Sequence, residues 1–319
     1  MAFPLTGRHN LAARGTARER QAETSGTMRF KQLARAIIVV TSIVTAIVGC
    51  RSGRLSPSRE PFFFIQMADP QFGFFTANQD FARETANFTK AIEIANRLRP
   101  AFVVVCGDLT HRAGDSAQIA EYRRIAAMLD RSVPLYSVSG NHDLALPLSP
   151  SSVAAYRAVY GPDYYTFERN GILGVVINSS LFKEPSLAPR EAAAQNQWLE
   201  RTLAEAKAKG KRAMVFQHHS WFLARADEPD QYYNLPVDKR REVLALLHGA
   251  GVRHVFAGHY HRNALGRDGD LEMVTTGPVG RPLGTDPSGL RIVIVTRDSV
   301  MHRYYALDSV PDRVPLPRN

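Results

Sequence analysis

Cysteine is nearly absent from this chain of 319 residues, which carries only Cys50 and Cys106. Two thiols cannot build a disulfide framework, and no CxxC pair is present to hold a structural metal or run thiol exchange. Long apolar runs are missing as well. The uncharged run Ala36–Gly49 is 14 residues long, short of the ~17–25 that a membrane-spanning helix needs. There is no GxSxG elbow to present a serine nucleophile, no internal repeat and no low-complexity tract. An excess of basic over acidic side chains is also lacking over most of the chain, although the net charge is +10. Residues 1–60 hold ten Lys/Arg against three Glu, a net of +7, which leaves only +3 for everything after them. The high isoelectric point therefore describes an N-terminal extension, and no nucleic-acid partner is expected.

What is present begins with that extension. From Met28 the chain reads MRFKQLARAIIVVTSIVTAIVGC: basic residues, a short apolar stretch, then small residues before Cys50. Its length suits the apolar region of a secretory signal. Its end looks like a bacterial lipobox, in which the cysteine thiol is lipidated. On this reading residues 1–27 are a non-native or disordered extension, 28–50 a lipoprotein signal and 51–61 a polar tether. Residues 62–308 form one catalytic domain and 309–319 a tail. The domain is then lipid-anchored at the bacterial cell envelope, outside the cytoplasm. An uncleaved signal anchor and a buried amphipathic helix remain as alternatives. Cys106 closes the apolar run Phe102–Cys106 and is expected to be an inert buried thiol.

From Pro61 onward short apolar runs alternate with helical stretches, which predicts an α/β protein. Strands are expected at Phe62–Met67, Phe102–Cys106, Val133–Val138, Gly174–Asn178, Ala213–Phe216 and His254–Ala257, with three more at Glu272–Thr276, Leu290–Thr296 and Val300–Tyr305. Helices are expected at Phe81–Leu98, Ser116–Leu129, Arg190–Lys209 and Val237–His248. No helix separates the last strands, so antiparallel pairing is predicted there, and a mixed sandwich rather than a doubly wound parallel sheet.

Five of the expected strands end in a polar cluster: Asp69-Pro70-Gln71, Gly107-Asp108, Gly140-Asn141-His142-Asp143, Gln217-His218-His219 and Gly258-His259-Tyr260-His261. Carboxyl ends of strands converge on one edge of an α/β sheet, where ligands bind. Carboxylates neutralise a divalent ion, and imidazoles and amide oxygens complete its shell. Taken singly, each cluster could as well be a helix cap or a packed core histidine.

In their order the clusters resemble the calcineurin-like metallophosphoesterase family, whose pattern is DxH…GD…GNH[DE]…H…GHxH. The likeness runs from about Phe62 to Leu307 and is strongest toward the calcineurin-like phosphoesterase domain-containing protein 1 group. Ala68–Gly73, Val215–Phe222, Tyr232–Pro236, Gly258–Ala264 and His302–Asp308 carry it. It implies a four-layer α/β/β/α sandwich of two mixed β-sheets and two divalent metal ions, which could be Mn, Fe, Zn or Mg. It further implies that Asp69, Gln71 and His261 bind the first ion, that Asp108 bridges, and that Asn141, His218 and His259 hold the second. His142 would act on the substrate, with Asp143 orienting its ring. Gln71 departs from the usual His, and as a harder, weaker ligand it either favours Mn or Mg over Zn at the first position or leaves that position partly filled. Ser220 stands where the family has Pro. His219 and the aromatic residues Trp221, Tyr232 and Tyr233 are candidates for the substrate wall; core packing is the competing reading for the aromatics. The remaining histidines are expected to be structural, with His111, three residues after Asp108, as the candidate exception.

Two such ions clamp a phosphoryl group and lower the pKa of a shared water, so a hydroxide rather than a protein side chain is the expected nucleophile. The first expectation is a phosphomonoesterase acting on a phosphorylated small molecule or phosphoprotein. A phosphodiesterase for nucleotides or lipid head groups is the runner-up. A non-catalytic, lipid-anchored phosphate-binding protein is the alternative of another class.

Overall fold

A computed structural model describes residues 60–317. The proposed signal, Cys50 and most of the tether lie outside the described residues.

The first sheet grows from β1 (Phe62–Met67), a strand buried on both faces. Its alternation divides two cores. Phe63, Ile65 and Met67 face α1 (Ala82–Leu98) and α2 (Ser116–Ala126), while Phe62 and Phe64 face the other sheet. Parallel to β1 run β2 (Val103–Cys106) and β3 (Leu135–Val138). On its other side β10 (Gly289–Val295) and β11 (Val300–Ala306) pair antiparallel, giving the order β11-β10-β1-β2-β3.

The second sheet has the order β4-β5-β6-β7-β9-β8. Its parallel centre is β5 (Ile172–Val176), β6 (Arg212–Phe216), β7 (His254–Ala257) and β9 (Leu271–Thr275). The antiparallel edges are β4 (Tyr165–Arg169) and β8 (Ala264–Asp268). α5 (Pro189–Ala208) and α6 (Val237–Gly249) cover its outer face through Leu199, Leu203, Val243 and Leu247. The layers are helix, sheet, sheet, helix, as the family pattern implied.

Aromatic rings hold the sheets together. Phe64 stacks on Phe102 at 4.6 Å and meets Phe216 and Phe256 edge-on at 5.8 and 5.4 Å. Edge-to-face and offset pairs add about 0.5–1.5 kcal/mol each beyond area burial. They also fix the distance between the two sets of strand ends.

Among the described residues five elements have no counterpart in the sequence reading: β4, β8, α3, and the short pair α4 (Ser180–Lys183) and the 3-10 turn Pro185–Leu187. β4 and β8 are edge strands, each with one buried residue, Phe167 and Gly266, so neither shows an apolar run. α3 (Pro150–Tyr160) did carry a signal: Ser149 accepts from the Ser152 N–H in a capping box, with proline at the first turn. The stretch after residue 308 is no free tail as far as it is described. Val310 and Val314 pack on the first core, and Arg97 pairs with Asp312 at 2.9 Å. Among the described residues no helix is long and apolar enough to cross a membrane.

Candidate metal centre

All five polar clusters follow parallel strands. Asp69 and Gln71 lie beyond β1, Asp108 beyond β2, Asn141 beyond β3, His218 beyond β6, and His259 and His261 beyond β7. Asp69, Asp108, His218, His259 and His261 form two groups able to hold a metal ion: Asp108 with His218 and His259, and Asp69 with Asp108 and His261. Asp108 is common to both, and all five side chains are buried.

The backbone there is strained. Among the described residues nine non-glycine positions have positive φ, and five of them are Asp69, Gln71, Asp108, His259 and His261, at 40–66°. Such conformations cost of order 1–3 kcal/mol each and persist where a site requires them. Gly140 allows the closest approach: a Cβ on it would lie 2.1 Å from both Asp108 N and Asp108 Oδ1.

Each imidazole is tied by one nitrogen to a main-chain carbonyl, which can only accept. His218 Nδ1 donates to Cys106 O at 2.9 Å, His259 Nε2 to Tyr232 O at 3.3 Å and His261 Nδ1 to Arg281 O at 2.6 Å. In the neutral rings the other nitrogens are therefore bare lone pairs. They converge: His218 Nε2 lies 3.1 Å from His259 Nδ1, 3.0 Å from Asn141 Oδ1 and 3.3 Å from Asp108 Oδ1. His261 Nε2 lies 3.5 Å from Asp69 Oδ1. Lone pairs and carboxylate oxygens at such distances repel unless a positive charge sits among them.

The electrostatics make the same demand. Burial alone would depress His218, but Asp108, Asp69 and the Cys106 carbonyl lift it to about 9. Burial opposes ionisation of Asp108, yet His218 carries it well below the usual carboxylate range. Asp69 is held well above that range by burial and by Asp108, although His218 opposes this. Burial and the charge on His218 push His259 down to about 3, and burial takes His261 to about 4. Asp108 thus draws positive charge onto His218, and buried Asp69 holds on to a proton, so two carboxylates and three imidazoles surround positions where a cation is favoured. Gln71 adds an orphan: its Nε2 donates to Asp108 Oδ2 at 3.2 Å, while its buried Oε1 has no hydrogen-bond partner. Oxygen and imidazole donors of this kind fit divalent metal ions.

His142 sits beside these groups. Its main-chain N–H donates to Asp108 Oδ1 at 2.9 Å, and its Nδ1 donates to His111 O at 2.9 Å. The His111 ring stacks on it at 4.8 Å. Asp143 does not orient that ring, contrary to expectation. Its carboxylate instead accepts from Thr110 N, Thr110 Oγ1 and Gly140 N, so it joins the loop after β2 to the loop after β3. Burial and nearby Asp108 raise Asp143 to about 7.

The aromatic candidates divide. Tyr232 is exposed, with its ring 4.9 Å from that of His259, and Tyr233 lies behind it at 6.4 Å. His219 is buried beside them, 4.3 Å from the His259 ring, with Nδ1 2.9 Å from Ser179 Oγ. Trp221 must be withdrawn from the substrate wall. It is fully buried in the second core against Phe182, because the chain turns inward after His219.

One part of the site has little signal in the sequence beyond Arg281, an isolated basic residue near the ligand clusters: the strap Val279–Leu283. Val279 N donates to Ala68 O, Gly280 N to Asp69 O and Leu283 N to His261 O, and the Arg281 carbonyl receives His261. Its other sequence signal was the pair of glycines in Gly277-Pro-Val-Gly280, where a Cβ on Gly280 would lie 2.6 Å from Pro70 O.

Comparison with known proteins agrees with this geometry. The family model described as calcineurin-like phosphoesterase matches residues 64–263. The human serine/threonine-protein phosphatase CPPED1 is 38% identical over 270 residues, covering 79% of this chain and 86% of that protein. The zebrafish (Danio rerio) protein of the same name is 38% identical over 269 residues, covering 79% and 87%. Among solved structures, a purple acid phosphatase from yellow lupin (Lupinus luteus) superposes with a TM-score of 0.59 at 13% identity, covering 79% of this chain and 52% of its own. A dimetal phosphatase from Danio rerio gives 0.52 at 17%, covering 77% and 99%. These two likenesses speak for the fold alone.

Gly140→Ala provides a test of how tightly the site is built. The added methyl must displace Asp108, so the variant is expected to keep its far-UV circular dichroism and bind Mn²⁺ at least about tenfold more weakly by calorimetry, since overpacking costs about 1–3 kcal/mol. Unchanged Mn²⁺ affinity would show that Asp108 tolerates the shift and is not the shared ligand.

Proposed function

The chain belongs to the calcineurin-like phosphoesterase family, and on that premise we propose that it is a dinuclear-metal phosphatase acting on phosphomonoesters. The observation that carries the reading is the pair of ligand groups sharing Asp108. One ion would be held by Asp69, Gln71, His261 and Asp108, the other by Asn141, His218, His259 and Asp108. The amide oxygen of Gln71 favours Mn or Mg over Zn in the first position.

Divalent ions in such a site supply positive charge for the phosphoryl oxygens and make water a nucleophile near neutral pH. No side chain is needed as nucleophile. The thiol of Cys106 is buried and pushed far up by desolvation, so it does not compete. His142 keeps Nδ1–H on the His111 carbonyl, which reserves Nε2 for the substrate. There, as the imidazolium with both nitrogens protonated, it would donate to a phosphoryl oxygen or to the leaving oxygen, the charge that grows as the P–O bond breaks. Stacking on His111 holds the ring in place before substrate arrives.

The human relative's name points to phosphoserine or phosphothreonine in proteins, and that substrate class is the one we adopt for this chain. We further propose that residues 28–50 are a lipoprotein signal, that Cys50 carries the lipid, and that the enzyme works outside the cytoplasm. That location also offers phosphorylated small molecules, so a phosphorylated small-molecule substrate is retained. Neither the diesterase nor the non-catalytic binder gains a specific observation.

With metal-reconstituted full-length enzyme and 4-nitrophenyl phosphate, Asp108→Asn is expected to abolish turnover and reduce bound metal. His142→Ala should keep both ions and lose about 10²–10⁴-fold in kcat. Full activity after exhaustive chelation contradicts the proposal, as does a higher kcat/KM for bis(4-nitrophenyl) phosphate than for the monoester.

The anchor is tested separately by expression in a bacterium with lipoprotein processing. The wild type should partition into detergent and give a mass consistent with a lipidated Cys50 terminus, and Cys50→Ser should retain its signal. A mature protein still beginning at Met1 or Met28 refutes the lipoprotein assignment.

A further inference from the structure

Beside the ligand groups opens a cavity of about 120 Å³. Asn141, His219 and Tyr232, which adjoin the metal centre, line it together with Leu146 and Leu148. It is continuous with the site: Asn141 Oδ1 is 3.0 Å from His218 Nε2, and the Tyr232 carbonyl receives His259. A phosphoryl group held by the centre would have this space next to it, on the side of Asn141 and Tyr232.

The charge of the cavity is set by two adjacent residues. Lys183 is the one cation among its lining residues, and it has no donor to spare. Its ammonium gives hydrogen bonds to the carbonyls of Gln231, Tyr232 and Asn234 at 2.7, 3.2 and 2.6 Å. An ammonium has three donors, so all are in use. Lys183 therefore fastens the Tyr232 loop rather than receiving an anion. Glu184 follows it, an exposed carboxylate on the same lining. The other surfaces are two leucines, a tyrosine ring and Ser180, whose buried Oγ has no hydrogen-bond partner. A second phosphate or a carboxylate entering here would meet Glu184 and find no free cation. An apolar group would meet leucine and tyrosine. An ammonium would meet a carboxylate and an aromatic face, both of which attract it, against the repulsion of a Lys183 charge already solvated by three carbonyls.

We infer that this cavity is the subsite for the alcohol half of the substrate, and that it selects apolar or cationic alcohols over those bearing a second anionic group. The inference rests on the phosphatase reading and narrows it. Phosphoserine flanked by apolar or basic side chains satisfies it, whereas bisphosphorylated sugars and nucleoside diphosphates do not.

Three aryl phosphates with leaving phenols of similar basicity test it: phenyl phosphate, 4-(2-aminoethyl)phenyl phosphate and 4-(carboxymethyl)phenyl phosphate. In Mn²⁺-loaded wild type the kcat/KM of the amino compound should exceed that of the carboxy compound by about tenfold, the scale of a partly exposed charge acting with opposite sign on the two. Glu184→Lys should bring that ratio to about one or below it; being measured within one variant, it does not depend on the folded fraction. Tyr232→Ala should raise KM for all three substrates more than it lowers kcat. A ratio near one in wild type, a preference for the carboxy compound, or a ratio unmoved by Glu184→Lys overturns the subsite while leaving the phosphatase intact. Absence of turnover for all three overturns the phosphatase reading and the subsite with it.

Discussion

A single buried carboxylate organises this protein. Asp108 is 1% exposed, and an ionised carboxylate without water is costly unless it is paired and hydrogen-bonded. Its surroundings meet that requirement from several directions. Gln71 Nε2 and the His142 main-chain N–H donate to it, His218 faces it, and Gly140 supplies the space that lets the main chain come so close. Asp69 adds a second buried carboxylate to the same cavity, and the negative charge there is strong enough to draw protons onto Asp69 and His218. Divalent cations would balance it well, and that is the physical reason these residues read as ligands rather than as a packed polar core.

The site belongs to neither sheet alone. Asp69, Asp108 and Asn141 come from the ends of β1, β2 and β3 in the first sheet, and His218, His259 and His261 from β6 and β7 in the second. Their approach depends on the ring cluster of Phe64, Phe102, Phe216 and Phe256, which sets how closely the sheets lie. The strap Val279–Leu283 closes the arrangement from the side of Asp69 and His261. Five left-handed backbone positions at the strand ends are thus offset by the packing of two cores and the aromatic layer between them. Strain of that size survives only in a domain with apolar burial in excess of what the fold alone requires.

The legible part of this protein is where chemistry and strand ends coincide. A buried strand such as FFFIQM announces itself as an apolar run, and a ligand cluster directly after it is conspicuous; β1, β2, β6 and β7 all have this form. Edge strands show no such run, which is why β4 and β8 were missed. Long-range pairings were also hidden. Nothing local in GNHD indicates that Asp143 reaches back to Thr110, or that His142 rests on the carbonyl of His111. A main-chain acceptor leaves no mark on residue identity. Trp221 misled because a loop after a ligand and a chain diving into a core look alike until burial is known. The positive φ values, the clearest structural sign of the site, fall mostly on Asp, Gln and His, with Gly107 alone among the five clusters to advertise them.

The central claim is that two ions share one carboxylate, and electron paramagnetic resonance of the Mn²⁺-loaded protein addresses it without reference to any substrate. Two Mn²⁺ bridged through Asp108 should be exchange-coupled. The account therefore predicts binding of two equivalents per chain and a multiline spectrum that replaces the isolated-ion signal as the second equivalent is added. One equivalent at saturation, or two equivalents with only the uncoupled isolated-ion spectrum, would contradict it.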